Sequence, residues 1–194
     1  TSDEFMSEYG SNPRMKRVAQ IFEKYEEKLK NNNALDFDDI IMHTVSILKS
    51  ESDIREKYVD KFKYILVDEY QDTNTIQKKI YMQLASGNKN ICVVGDDDQA
   101  LYRFRGATVE NLVDFENICE KEIGVKPTRI DLNINYRSRK QIVDTYTSFI
   151  EGTNWENPDK PGQYYRIPDK NIVAHSEDNS TSVILESGKK EDVT

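Results

Sequence analysis

The stretch that decides the fold lies at residues 64–72 and reads YILVDEYQD. Its apolar run predicts a short buried strand of a parallel sheet, and open sheets of this kind bind ligands at the carboxyl ends of their strands. The run ends in two adjacent carboxylates, Asp68 and Glu69. On an extended strand these point in opposite directions, so one could hold hydrated Mg²⁺ while the other orients an attacking water. An isolated Asp-Glu pair is more often a solvated strand end, but the apolar run before it and Gln-Asp-Thr after it favour a site.

A second strand of the same design follows at residues 91–95, which read ICVVG. It ends in three consecutive aspartates, Asp96 to Asp98, and then Gln99. On composition alone, three acids in a row more often form a solvated turn. Their place directly after an apolar strand is, however, the same as that of the first carboxylate pair.

Aromatic and guanidinium groups alternate after the aspartates, in the sequence ALYRFRGA at residues 100–107. If this segment is extended, Tyr102 and Phe104 lie on one face and form a platform on which nucleic-acid bases can stack. Arg105 is then available for a phosphate group. Packing of the same two rings in a core is the alternative.

Helical and strand patterns alternate to about residue 150, which predicts an α/β fold. Asp36 is the predicted N-cap of one helix, and Ser138 with Gln141 predicts a capping box for another. Beyond residue 150, prolines punctuate the chain and the apolar content is too low for an independent core. The predicted helices span residues 13–30, 36–50, 73–85, 108–119 and 138–150, and the predicted strands span residues 63–68, 90–95, 129–133, 163–167 and 182–185.

The composition excludes several classes of protein. Acidic residues outnumber basic ones by 35 to 27, and the formal net charge of -8 argues against a purely electrostatic nucleic-acid binder, though not against one that stacks bases. Apolar runs fall far short of the ~20 residues that cross a bilayer, so we expect a cytoplasmic protein without membrane contact. Cys92 and Cys119 are expected to be buried thiols. The two histidines, His43 and His175, are too far apart in sequence to favour a zinc site or a Ser/His/Asp triad.

Taken together, these motifs resemble those of the UvrD/Rep-like DNA helicases of superfamily one. Residues 67–74 are similar to the Walker B motif of that family, residues 94–107 to its third motif and residues 135–138 to its fourth. Residues 35–40 look like the family's return from its inserted helical subdomain. The order and spacing fit over roughly residues 13–150.

The resemblance implies part of a P-loop NTPase fold, in which a RecA-like parallel sheet carries flanking helices. Residues 1–34 would be the end of the inserted helical subdomain, residues 35–135 the C-terminal half of the first RecA-like domain, and residues 136–194 the start of the second. The implied activity is ATP-dependent translocation on single-stranded DNA with unwinding of the duplex, 3′ to 5′. ATP and Mg²⁺ are the implied cofactors. Single-stranded DNA, duplex junctions, and repair or recombination proteins are the implied partners.

Roles for individual residues also follow from the resemblance. Asp68 would bind Mg²⁺ on the nucleotide phosphates, and Glu69 would be the general base for the hydrolytic water. Gln99 would contact the γ-phosphate region and couple the nucleotide to the DNA site. Tyr136 would stack on adenine, and Arg137 would serve as an arginine finger.

The same resemblance assigns Tyr102, Phe104 and Arg105 to the single-stranded DNA site. Phe104 stands where many members of the family have Trp, and its smaller ring can still stack on a base.

The chain departs from the family in one main respect, because no GxxxxGK[ST] phosphate-binding loop occurs in it. Its one Gly-Lys pair, Gly188-Lys189, is followed by Lys190 and has Val183 where the earlier glycine should be. Later motifs of the family are also missing, and residues 155–166 only faintly resemble an early part of the second domain. We therefore expect a piece of a helicase that is inactive by itself.

Two alternatives stay open at this point. One is a module that binds DNA only through the aromatic segment, and the other is a catalytically inactive relative kept for protein contacts. The nuclease-linked recombination helicases also remain candidates for the complete protein.

Overall fold

The structure, a computed structural model, describes residue 7 and residues 12–181. It divides into two compact units. One unit contains the described residues up to Lys63 together with Ile76–Asn88, and the other contains Tyr64–Thr75 together with the residues from Lys89 onward. The assignment of residues 1–34, 35–135 and 136–194 to domains of a helicase stays a prediction.

Helices make up the described part of the first unit, and polar side chains cap two of them. Asn12 Oδ1 accepts a hydrogen bond from the Arg14 amide at 3.0 Å at the start of the first helix. Asp36 caps the second in a reciprocal box with Asp39, so the predicted N-cap is confirmed. The third helix was not predicted, because only three of its ten residues are apolar. The helices are α1 (Pro13–Asn31), α2 (Phe37–Ser50), α3 (Ser52–Lys61) and α4 (Thr75–Ala85).

Two parallel strands form the base of the second unit, as the sequence predicts. Strand β1 (Ile65–Val67) pairs with β2 (Ile91–Val93), and both are shorter than expected. One face of this pair is open, since Leu66 and Cys92 are exposed. The prediction of a buried Cys92 is therefore wrong, because this residue lies on the open face of the sheet.

The rest of the second unit departs from prediction in several places. The expected helix 108–119 is two helices, α5 (Glu110–Val113) and α6 (Phe115–Ile123), which meet at Asp114. Residues 129–133 form no strand, and β3 (Ile134–Asn135) instead pairs in parallel with β4 (Val173–Ala174).

Residues 163–167 are not a strand either, because their one ladder contact is an isolated bridge between Tyr164 and Glu156. The expected strand 182–185 lies outside the described residues.

The last helix, α7 (Lys140–Glu151), begins later than predicted and without the expected capping box. Its N-cap is Arg139, whose side chain makes no capping hydrogen bond. The Ser138 amide instead donates to Asn135 Oδ1 at 2.8 Å, so the chain turns at the end of β3 before the helix starts.

The core of the second unit lies beneath the carboxyl ends of β1 and β2. Tyr70 is fully buried, and its ring meets the Phe115 ring edge-on with 5.3 Å between the centroids. Cys119 is also buried, and burial raises the pKa of its thiol to about 11, so the predicted burial of this cysteine is confirmed. None of the helices in the described residues is long and apolar enough to span a membrane.

Candidate nucleotide and DNA site

The predicted carboxylate pair stands at the carboxyl end of β1, but its backbone is not extended there. Glu69 has φ 50° and ψ 43°, which is the left-handed region. The chain therefore turns directly after the strand, and the alternation of an extended strand does not separate the two side chains. Asp68 Oδ1 accepts a hydrogen bond from the Glu69 amide at 2.9 Å, and both residues are exposed.

Gln71 connects this pair to the end of the second strand. Its side chain is buried, and its Nε2 donates to Glu69 Oε2 at 2.6 Å. Its Oε1 accepts from the amide of Asp96 at 3.1 Å. One amide side chain thus holds the carboxylate of Glu69 and the backbone that follows β2.

Gly95 makes this contact possible. A Cβ atom at that position would lie 2.7 Å from Gln71 Oε1 and 3.0 Å from the Leu112 side chain. Both distances are shorter than van der Waals contact, so a larger residue would push Gln71 away from Asp96. The glycine at the end of the second apolar run is required by this close approach.

Gln99 lies in a short 3₁₀ turn, residues 97–99, that follows β2. Its Nε2 donates to Asp96 Oδ2 at 2.7 Å, and the residue is exposed. The structure therefore brings Glu69 and Gln99 into one hydrogen-bonded chain that passes through Gln71 and Asp96. Gln71 had no predicted role, although its place two residues after Glu69 was the available signal.

The aspartates after β2 do not form a solvated turn. Asp97 is buried, and the side chains of Arg166 and Lys170 form ion pairs with the three carboxylates. Neither cation was predicted from the sequence. Adjacent carboxylates that are withdrawn from water are stable as anions only with positive charge nearby. The sequence contains 27 lysines and arginines, and only the fold determines which of them supply it.

The aromatic segment is a 3₁₀ turn, Arg103–Arg105, so the extended backbone that would place Tyr102 and Phe104 on one face by alternation is not present. Tyr102 and Phe104 are nevertheless neighbours, with 6.0 Å between ring centroids. The Arg105 guanidinium lies 4.9 Å from the Tyr102 ring centre and 5.4 Å from that of Phe104. Phe104 is 78% exposed, so it is not part of a core within the described residues. Gly106 ends the turn with φ 86°.

Tyr136 and Arg137 follow β3, and both are exposed. The centroid of the Tyr136 ring lies 4.8 Å from that of the His175 ring, and His175 follows β4. Among the described residues, no hydrogen bond, ion pair or ring contact joins Tyr136 or Arg137 to Glu69 or Gln99.

The residues present fit one part of a metal–nucleotide site. No group of three or more His, Cys, Asp or Glu side chains that could hold a metal occurs in the part of the chain that the structure describes. Mg²⁺ on a nucleotide keeps several waters and phosphate oxygens and needs only one or two protein carboxylates. The exposed Asp68 can be such a ligand, whereas the phosphate-binding loop is absent from the sequence.

Comparison with known proteins gives two results. Residues 2–120 match the UvrD/REP helicase N-terminal domain family. The ATP-dependent DNA helicase PcrA of Staphylococcus aureus is 43% identical over 141 residues, which are 73% of this chain and 19% of that protein. PcrA of Staphylococcus epidermidis is 41% identical over 141 residues. The chain thus matches 19% of the length of these relatives.

Proposed function

Because the chain belongs to the UvrD/REP helicase family, we propose that it forms part of an ATP-dependent DNA helicase that moves along single-stranded DNA and separates the duplex. We expect the protein to act in DNA repair or recombination in the cytoplasm. Residues that follow β1 and β2 would bind and hydrolyse the nucleotide, and the aromatic turn after them would bind DNA.

The observation that carries this proposal is the hydrogen-bonded chain from Glu69 through Gln71 and Asp96 to Gln99. It joins the residue proposed as the general base to the residue proposed to contact the γ-phosphate. Since these residues are linked through one buried amide, we expect a shift of the Glu69 carboxylate to move the backbone that follows β2. Hydrolysis and DNA binding can be coupled through such a connection, because the aromatic turn follows Gln99 by only a few residues.

Each proposed catalytic group supplies what phosphoryl transfer requires. Glu69 takes a proton from the attacking water, and its exposure leaves the carboxylate accessible to that water. Asp68 is the proposed ligand of Mg²⁺, whose charge would offset that of the nucleotide phosphates. Arg137 would add positive charge at the transition state, and Tyr136 would stack on the adenine ring.

Tyr102, Phe104 and Arg105 are the proposed contacts to single-stranded DNA. Two exposed rings with a guanidinium between them offer both stacking and a phosphate partner. Stacking does not depend on net charge, so a chain with a formal charge of -8 can bind DNA in this way.

The proposed function is tested in the complete helicase with Glu69→Gln. ATP binding should stay nearly intact, while hydrolysis stimulated by single-stranded DNA should fall by about 10²-fold or more, because the general base is lost. Glu116→Gln is the matched control, since the Glu116 side chain is 44% exposed and its ion pair with Lys126 is long, at 3.7 Å. Normal hydrolysis in Glu69→Gln, with wild-type turnover in the control, contradicts the proposed role.

Strand displacement on partial duplexes tests the direction. Unwinding of a duplex with a 3′ single-stranded tail, and none with a 5′ tail, is expected. A complete protein that binds single-stranded DNA but hydrolyses no ATP would favour the alternative, in which the chain belongs to an inactive binding module.

A further inference from the structure

Two cationic side chains, Lys170 and Arg166, form ion pairs with the three aspartates that follow β2. Lys170 Nζ lies 2.8 Å from Asp96 Oδ1, 2.6 Å from Asp97 Oδ1 and 3.0 Å from Asp98 Oδ2. Arg166 holds Asp98 with two nitrogens, at 2.7 Å and 3.2 Å. We call these five side chains the charge clasp.

Most of the charge clasp is withdrawn from water. The side chain of Asp97 is 1% exposed, that of Asp98 10% and that of Lys170 12%. Charges interact more strongly in such surroundings than at a surface, and three adjacent carboxylates without cations would repel one another. Burial by itself lowers the pKa of Lys170, but hydrogen bonds to Asp96 and Asp97 raise it above its ordinary value. Lys170 is therefore a stable cation at neutral pH.

Asp96 connects the charge clasp to the proposed nucleotide site. Its Oδ1 accepts from Lys170, and its Oδ2 accepts from Gln99 Nε2 at 2.7 Å. Its backbone amide donates to Gln71, whose other end donates to Glu69. The orientation of the Asp96 carboxylate thus sets the orientation of the Gln99 amide, and Lys170 fixes that carboxylate from the opposite side.

We propose that Lys170, supported by Arg166, is a positioning residue that orients Gln99 through Asp96 and so couples DNA binding to ATP hydrolysis. This inference rests on the proposed function. Lys170 lies 74 positions after Asp96 in the sequence, beyond every helicase motif recognised above. The segment after α7 would thereby control the turn after β2.

A purely structural role would give different results, because ion pairs that only anchor residues 166–170 would affect folding and nothing else. Lys170→Met alone leaves buried carboxylates unpaired and can unfold the protein. The double variant Lys170→Met with Asp97→Asn avoids this, since it removes one charge of each sign. Asp97→Asn alone keeps the Lys170–Asp96 contact and is the matched partner. Lys126→Met, at an exposed ion pair, is the surface control.

The experiment uses the complete helicase and measures ATPase kcat and KM with and without single-stranded DNA. In the double variant the stimulation of kcat by DNA should fall about fivefold or more, the usual range of a coupling between two sites, while KM for ATP changes less. Asp97→Asn and Lys126→Met should keep the wild-type stimulation. Hydrogen exchange should be faster in the double variant for the peptide that contains residues 95–101, whereas its melting temperature should stay close to that of Asp97→Asn.

Wild-type stimulation in the folded double variant would overturn the inference, and so would an equal loss in Asp97→Asn. Unchanged hydrogen exchange at residues 95–101 would overturn it as well. Glu69→Gln in the same assay separates this failure from that of the proposed function. If Glu69→Gln abolishes hydrolysis while the double variant behaves as wild type, only the role of Lys170 is wrong.

Discussion

Replacing Gln71 with leucine should lower the free energy of unfolding of the chain by about 2–4 kcal/mol. Leucine is close to glutamine in size, so the change removes two hydrogen bonds without opening a large cavity. The bond to Glu69 contributes about 1 kcal/mol, which is below the usual range for a charged partner because Glu69 is exposed and solvent screens its charge. Loss of Oε1 leaves the part-buried Asp96 amide unpaired, which costs about 1–3 kcal/mol more.

Urea unfolding followed by circular dichroism measures this difference, provided that the slope with denaturant is unchanged. Gln163→Leu is the control, since Gln163 is exposed and lies in the same unit. It should shift the free energy by no more than about 0.5 kcal/mol. A Gln71→Leu value within that same range would refute the reasoning, because the buried amide would then not hold the two strand ends together.

Three further predictions concern DNA, ATP and pH. In the complete helicase, Phe104→Ala should weaken single-strand binding by roughly one to two orders of magnitude in fluorescence anisotropy, and Phe104→Trp should preserve it; normal binding with a lower melting temperature would assign the ring to packing. The isolated chain should release no phosphate from ATP above background, and turnover that Glu69→Gln abolishes would contradict this. Burial raises the pKa of Asp96, but hydrogen bonds from Lys170 and Gln99 outweigh it and lower the pKa. The stabilisation of the fold by these hydrogen bonds should therefore be complete above about pH 3.9 and be lost as the pH falls through the lowered pKa of Asp96. In a plot of the urea midpoint against pH, Asp96→Asn should flatten this acidic part.

The elements predicted best from sequence are those whose signals are local. Asp36 caps α2 as expected, because a capping aspartate needs only the backbone of its own helix. The parallel strands β1 and β2 were recognisable because each apolar run is short, rich in Val and Ile, and ends in carboxylates. Asp114, in contrast, interrupts a continuous helical pattern, and nothing in the periodicity of residues 108–119 marks that break.

Features that depend on distant partners were not predictable. Residues 129–135 alternate throughout, but strand pairing occurs only where β4 reaches β3, at Ile134–Asn135. Lys170 meets Asp96 across 74 positions, a separation that no spacing rule covers. In the candidate site, motifs indicated which residues to consider, whereas the hydrogen-bonded chain through Gln71 is visible only in the three-dimensional structure. The roles of all the proposed site residues, including Tyr136 and Arg137, stay predictions.

Because Glu69 has a left-handed backbone, the residue that would be most stable at this position differs from the residue that the proposed chemistry requires. A residue with a Cβ atom pays about 1–2 kcal/mol for this conformation, and glycine does not. If variants of the chain were sorted only for resistance to heat or protease, glycine should replace glutamate at residue 69 wherever this relief exceeds the about 1 kcal/mol of the Glu69–Gln71 hydrogen bond. The most durable protein from such a selection would then lack the carboxylate proposed to activate water. Any programme of stabilisation by directed evolution should therefore hold this codon fixed.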